Sequence, residues 1–157
     1  MQRQVSHPPL TARGTMQAYA AGYTLRGNQI ERIVTSDAVR ALQTAQAMAT
    51  VLGVETVVDT RLRERDWTTT GKLSSRSSPS VKHLEDPTER IRAALLDITT
   101  LDRPTAVVTH GDIVCTILDL LQDRQSSTRT WTTGTEVPNG RVIRVNLRRL
   151  SRLDGPA

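Results

Sequence analysis

The sequence predicts a layered α/β domain with a mostly parallel sheet, and two strand-to-helix units predict it. In the first, the run Ile33-Val34-Thr35-Ser36 is followed by Asp37 and then by Ala38, Leu42, Ala45, Ala49 and Leu52 at helical spacing. In the second, Thr105-Ala106-Val107-Val108-Thr109 ends on His110-Gly111-Asp112, and Ile113, Val114, Ile117, Leu118 and Leu121 continue as an amphipathic helix. Short β-branched apolar runs read as buried parallel strands, and strands alternating with helices build a layered sheet.

The other elements follow in chain order. Thr11 suits the cap of a helix reaching about Leu25, with Met16, Tyr19, Ala20 and Tyr23 on one face. Asp37 suits the next N-cap, and Gly53 the end of that helix. Val54 to Val58 is a short strand leading into Arg61-Leu62-Arg63-Glu64-Arg65-Asp66-Trp67. Thr68 to Ser80 is rich in Ser and Thr, with Gly71 and Pro79, and reads as a loop. Asp86-Pro87 reads as an N-cap and first-turn proline, before an apolar face of Ile91, Ala94, Leu95, Ile98 and Leu101. Pro104 opens the strand that carries His110. Gln122 to Thr135 is a second polar loop. Val142, Ile143, Val145 and Leu147 read as a closing strand, flanked by Arg141, Arg144, Arg148 and Arg149.

At 157 residues the chain is expected to form one domain, 1–157, long enough to bury a core. It has no apolar run of membrane-spanning length and no apolar leader, and its single cysteine, Cys115, excludes an internal disulfide framework. A cytoplasmic setting is the simplest expectation. The net charge of +5 favours capture of anions, phosphate esters included. Phe is absent and aromatics are 3%, which argues against base-stacking platforms for nucleic acid.

A histidine at a strand end beside a helix start lies where open α/β sheets bind ligands and where anions are favoured. Arg40, in the first turns of the earlier helix, points to the same region if both strands share a sheet. Other chemistries fail on inspection. A cysteine phosphatase needs Arg six residues after its Cys, and that position after Cys115 is Leu121. Cys115 lies in an apolar helical stretch, which favours an inert thiol. No P-loop, no Gly-x-Ser-x-Gly elbow and no metal-spaced His/Cys cluster is present.

Four motifs in order resemble one family. Pro9-Leu10-Thr11-Ala12-Arg13-Gly14 with Gln17-Ala18 resembles its PLT-x-x-G-x-x-QA helix start, and Ser36-Asp37-Ala38-Val39-Arg40-Ala41-Leu42-Gln43-Thr44-Ala45 its S-x-x-x-R-A-x-Q-T-A. Leu62-Arg63-Glu64 resembles its L-x-E, and Thr109-His110-Gly111 its second HG, with Val137-Pro138-Asn139-Gly140 as the last turn. The family is the histidine phosphatase superfamily, also called phosphoglycerate-mutase-like. The resemblance implies a three-layer α/β/α fold and phosphomonoester hydrolysis or transfer through a phosphohistidine, without metal or other cofactor.

The resemblance also implies roles. Arg40 would grip phosphate with a planar, permanently charged fork. His110, when protonated, would donate to a phosphate oxygen, aided by the helix start at Gly111. Glu64 would protonate the leaving alkoxide and later activate water. The family's nucleophile is a histidine in Arg-His-Gly after a first strand, upstream of PLT. This sequence begins Met1-Gln2-Arg3-Gln4-Val5-Ser6-His7-Pro8 and has no Arg-His-Gly. His7 falls at the family's aspartate position. Thr68-Thr69-Thr70-Gly71-Lys72 replaces a Gly-rich acidic stretch. His83 and Arg13 read as surface residues.

The expectation is a domain truncated at its N-terminus relative to the family, its first strand missing and its phosphatase activity impaired. One alternative is an inactive pseudophosphatase that binds phosphate esters or a protein partner. A second is a basic interaction module using Arg141 to Arg152. The expected partner is a small phosphorylated substrate or phosphate. The substrate, the choice between mutase and phosphatase, and the oligomeric state stay open at this point.

Overall fold

A computed structural model of the chain describes residues 8–70, 81–122, 137–147 and 150. In chain order the elements are α1 (Ala12–Leu25), β1 (Arg32–Thr35), α2 (Val39–Leu52), β2 (Glu55–Val58), a 3-10 turn (Thr60–Leu62), β3 (Trp67–Thr70), β4 (Val81–Leu84), α3 (Thr88–Thr100), β5 (Thr105–Val108) and α4 (Gly111–Leu121). β1, β2 and β5 form a parallel sheet in the order β2-β1-β5. Arg32 sits level with Glu55 and Thr105, and Thr35 level with Val58 and Val108. The mostly parallel sheet expected from the β-branched runs is present.

From β1 the chain steps one way through α2 to β2, then back past β1 through α3 to β5. Right-handed crossovers place helices from opposite steps on opposite faces. One face of the sheet packs Ile33, Ala106 and Val108 against Ala41, Ala45 and Met48 of α2. The other packs Val34 against Leu62, Ile91, Leu95 and Ile98, with Ile113 and Ile117 of α4. This is the three-layer arrangement. It leaves a crevice at the carboxyl ends of β1 and β5, the point where the strand order reverses.

Several expectations need correction. The apolar face of α1 is reversed: Met16, Tyr19 and Tyr23 are 74%, 40% and 58% exposed, while Ala18, Ala21 and Gly22 are buried. α1 packs on α2 rather than on the sheet, and close helix contact selects small residues; a Cβ on Gly22 would lie 3.0 Å from Val51 Cβ. Asp37 does not cap α2. The N-cap is Ala38, whose N–H donates to Ser36 Oγ at 3.3 Å, because the Asp37 carboxylate is engaged by the fork of Arg63. α3 starts one residue late, with Pro87 at the N-cap and Asp86 accepting from the Thr88 N–H at 3.0 Å. Leu101 lies just past that helix and is exposed.

Thr68, Thr69 and Thr70, read as loop, belong to β3, which pairs antiparallel with β4; the rest of that expected loop, 71–80, lies outside the described residues. His83 falls in β4. The loop expected over Gln122 to Thr135 lies outside them after Gln122, as do His7 with residues 1–7, Arg148 and Arg149. Residues 142–147 form no strand among the described residues. Val142 rests on the cluster facing α2, Leu147 on the one facing α3 and α4, and Ile143 and Val145 stay exposed. Apolar alternation reports which sides are covered, but a strand also needs a neighbouring backbone.

Other expectations hold. Thr11 Oγ1 accepts from the Gly14 N–H at 3.0 Å as the cap of α1. Gly53 closes α2 in the left-handed conformation, φ 70°. No helix among the described residues is long and apolar enough to cross a membrane.

Candidate active site

The end of β1 delivers Ser36 and, as the second residue of α2, Arg40. The end of β5 delivers His110, which is the N-cap of α4. The 3-10 turn after β2 delivers Glu64 from the side. Sheet register holds the two strand ends together, with the Ser36 N–H donating to the Val108 carbonyl at 3.0 Å.

These residues form one contact chain. Arg40 Nη2 donates to Glu64 Oε2 at 2.6 Å and meets His110 Nδ1 at 3.0 Å. His110 Nε2 lies 3.0 Å from Ser36 Oγ. A guanidinium only donates, so Nδ1 accepts and the ring proton sits on Nε2, directed to Ser36. His110 is therefore neutral here. Burial pushes its pKa below the ordinary value, and the Arg40 charge adds to that; Glu64 and Asp112 oppose. Its expected role as a charged donor thus requires a proton on Nδ1, the atom Arg40 now faces. Glu64 is 60% exposed and Arg40 31%, so their pair is open to an incoming anion.

Gly111 is the first residue of α4, and a Cβ there would meet Val137, its carbonyl oxygen at 3.8 Å and its Cβ at 4.0 Å, in ordinary contact. The helix start is less electropositive than expected. Asp112 is buried in its first turn, accepting from the Ile113 N–H at 2.9 Å and the Arg65 N–H at 2.9 Å. Arg13 is exposed, as expected. Cys115 is half-buried, and desolvation pushes its thiol pKa up, which keeps it protonated and unreactive. Among the described residues no group of three or more His, Cys, Asp and Glu could hold a metal ion.

Sequence reasoning brought Arg40, Glu64 and His110 to one crevice. It missed Ser36 as the partner of the ring, although Ser36 opens the motif that contains Arg40. It also missed the residues that hold the Glu64 loop: Thr109 Oγ1 donates to the Leu62 carbonyl at 2.7 Å, and Arg90 reaches across from α3. No spacing in the sequence announces these, because each joins segments far apart in the chain.

The profile of the histidine phosphatase superfamily (branch 1) matches residues 1–79 of this chain, half of its length. The chain belongs to that superfamily. Among curated family members, it is 32% identical over 141 residues to a protein of Klebsiella pneumoniae subsp. pneumoniae named "Probable phosphoglycerate mutase GpmB", covering 73% of this chain and 66% of that protein. A Yersinia enterocolitica protein of the same name is 44% identical over 81 residues, 52% of this chain and 36% of its own. The chain thus spans less than two thirds of the length of these relatives. Among solved structures, the mycobacterial glucosyl-3-phosphoglycerate phosphatase in complex with inorganic phosphate is 25% identical, with a TM-score of 0.62 over 80% of this chain and 74% of that one. The same enzyme in complex with VO3 has a TM-score of 0.67 at 24% identity, over 89% and 79%, which shows a shared fold.

Proposed function

We propose that the crevice of Arg40, Glu64 and His110 binds the phosphoryl group of a phosphomonoester, as part of a phosphoglycerate-mutase-like phosphatase site. One observation carries the reading: a single guanidinium nitrogen, Arg40 Nη2, contacts both Glu64 Oε2 and His110 Nδ1. Phosphoryl transfer asks a protein mainly for positioned cations around the moving oxygens and a proton for the leaving group. Arg40 is the permanent cation. His110, once protonated on Nδ1, is a second donor beside it, with the Gly111 N–H at the helix start behind. Glu64, displaced from Arg40 by the phosphate, takes a proton and gives it to the ester oxygen as the P–O bond breaks. The phosphoryl group passes to an acceptor, which in the family is a histidine.

A relative that binds inorganic phosphate supports this reading, as does the family's phosphate chemistry. A second reading is binding without turnover. It is favoured by the contacts of Arg40, whose Nη2 holds both Glu64 Oε2 and His110 Nδ1 in a closed, neutral-ring arrangement that binds an anion by exchange of partners. The test is calorimetric titration with inorganic phosphate and vanadate, alongside hydrolysis of p-nitrophenyl phosphate. Binding that is lost in Arg40→Ala and in His110→Ala supports the site, and turnover then separates the two readings. Binding that survives both substitutions overturns the assignment.

A further inference from the structure

We propose that Arg90, clamped by Glu85, is a positioning residue for Glu64, and through Glu64 sets how far Arg40 is free to take an anion. The inference rests on the phosphate-crevice reading above. Glu64 sits on residues 61–66, a stretch that runs from the 3-10 turn to β3 and belongs to no helix or strand after Leu62. Backbone groups in such a stretch need partners from elsewhere.

One guanidinium supplies three of them. Arg90 Nη1 donates to the Arg61 carbonyl and, at 2.8 Å, to the Arg63 carbonyl; Nη2 donates to the Glu64 carbonyl at 3.3 Å. The other edge of the fork is held by Glu85, with Nε to Oε1 at 2.7 Å and Nη2 to Oε2 at 3.0 Å. Glu85 in turn fixes the far end of the loop. Its Oε2 accepts from the Asp66 N–H at 3.1 Å, and its own N–H donates to the Asp66 carbonyl at 2.9 Å.

This arrangement calls for arginine. Three carbonyls and a carboxylate share one guanidinium through five N–H···O contacts, which matches its five donors, whereas an ammonium is a point with three. The clamp is also oriented. Arg90 hydrogen-bonds the backbone of the loop and, among the described contacts, reaches Arg40 only by way of Glu64; its charge also acts on His110, and a lysine at the position keeps that charge. Its influence on anion binding therefore has a predictable sign. Loosening the clamp lets the Glu64 carboxylate leave Arg40, which removes a competitor for phosphate. Merely damaging the fold would weaken phosphate binding instead.

The experiment is a double-mutant cycle on inorganic phosphate affinity with Arg90→Lys and Glu64→Gln, each variant checked for a cooperative melt. Arg90→Lys is expected to tighten phosphate about threefold, the size of an exposed ion pair, and to have no further effect in the Glu64→Gln background. Weaker or unchanged binding in Arg90→Lys, or the same change in both backgrounds, overturns the proposal. If Arg90→Lys does not fold, Glu85→Gln loosens the same fork with the guanidinium retained and carries the same expectation. A second readout needs no ligand: the Glu64 side-chain carboxyl carbon resonance should move in Arg90→Lys toward its position in Arg40→Ala, and a resonance that stays put counts against the clamp. If wild type binds no phosphate, or binds it equally with Arg40→Ala, the crevice reading fails, and this resonance alone decides the inference.

Discussion

Arg40 Nη2 lies 3.0 Å from His110 Nδ1, and the contact sets the protonation state of a buried imidazole. A donor that never gives up its charge leaves that nitrogen only the acceptor role. The result is a neutral ring with its proton on Nε2, aimed at Ser36 Oγ 3.0 Å away.

Stability should fall as the pH drops below about 6.5, the ordinary histidine value. Burial, aided by Arg40, depresses the folded pKa of His110. The unfolded chain then takes up its proton first, and uptake by the unfolded state favours unfolding. The contribution of His110 is complete above the ordinary value and is lost as the pH falls through its own lower one. Urea midpoints from pH 8 to 5 check this. The slope between pH 7 and 5 should flatten in His110→Gln, and equal slopes would contradict the assignment.

Ser36→Ala should destabilise the protein by about 1–3 kcal/mol, the cost of leaving a buried donor without a partner. Ser36 is fully buried and serves both the His110 ring and the Ala38 N–H at the start of α2. Thermal melts measure the loss. Phosphate affinity should fall with it, because the ring that faces Arg40 loses its anchor.

Gly22→Ala tests which of two opposed effects wins. Alanine gains about 1 kcal/mol in a helix interior over glycine. Overpacking a tight contact costs about 1–3 kcal/mol. A Cβ at this position would lie 3.2 Å from Met48 Cα, which is backbone and yields little, and 3.0 Å from Val51 Cβ. The net expectation is destabilisation, growing in Gly22→Val. A higher melting temperature for Gly22→Ala would show that α1 shifts freely on α2.

Acid should open the Glu64 loop before it unfolds the sheet. The Arg90 fork holds the Glu85 carboxyl below its ordinary pKa, against the opposing effect of burial. A depressed carboxylate stabilises fully above its ordinary value, near 4.5, and loses that contribution as the pH falls through its lower folded one. Hydrogen exchange at the Asp66 amide, which donates to Glu85, should therefore speed up relative to the β1 amides below about pH 4. Equal acceleration at both would contradict this.

The strands that line the crevice, the helices after β1 and β5, and the meeting of Arg40 with His110 were legible in the residues alone. These are local properties. β-branched runs, helical spacing, Gly53 and the strand-end position of His110 act within a few residues, and order along the chain then brings the strand ends together. Long-range packing set the rest. It turned α1 so that Ala18, Ala21 and Gly22 face α2, because a helix packed on a helix selects small residues where a sheet would accept large ones. It drew Asp37 from its expected cap to Arg63, gave 142–147 no strand among the described residues, and hung the Glu64 loop from Arg90 of α3. Each of these rests on which distant group arrives at a given donor or acceptor, and periodicity along one segment carries no record of that.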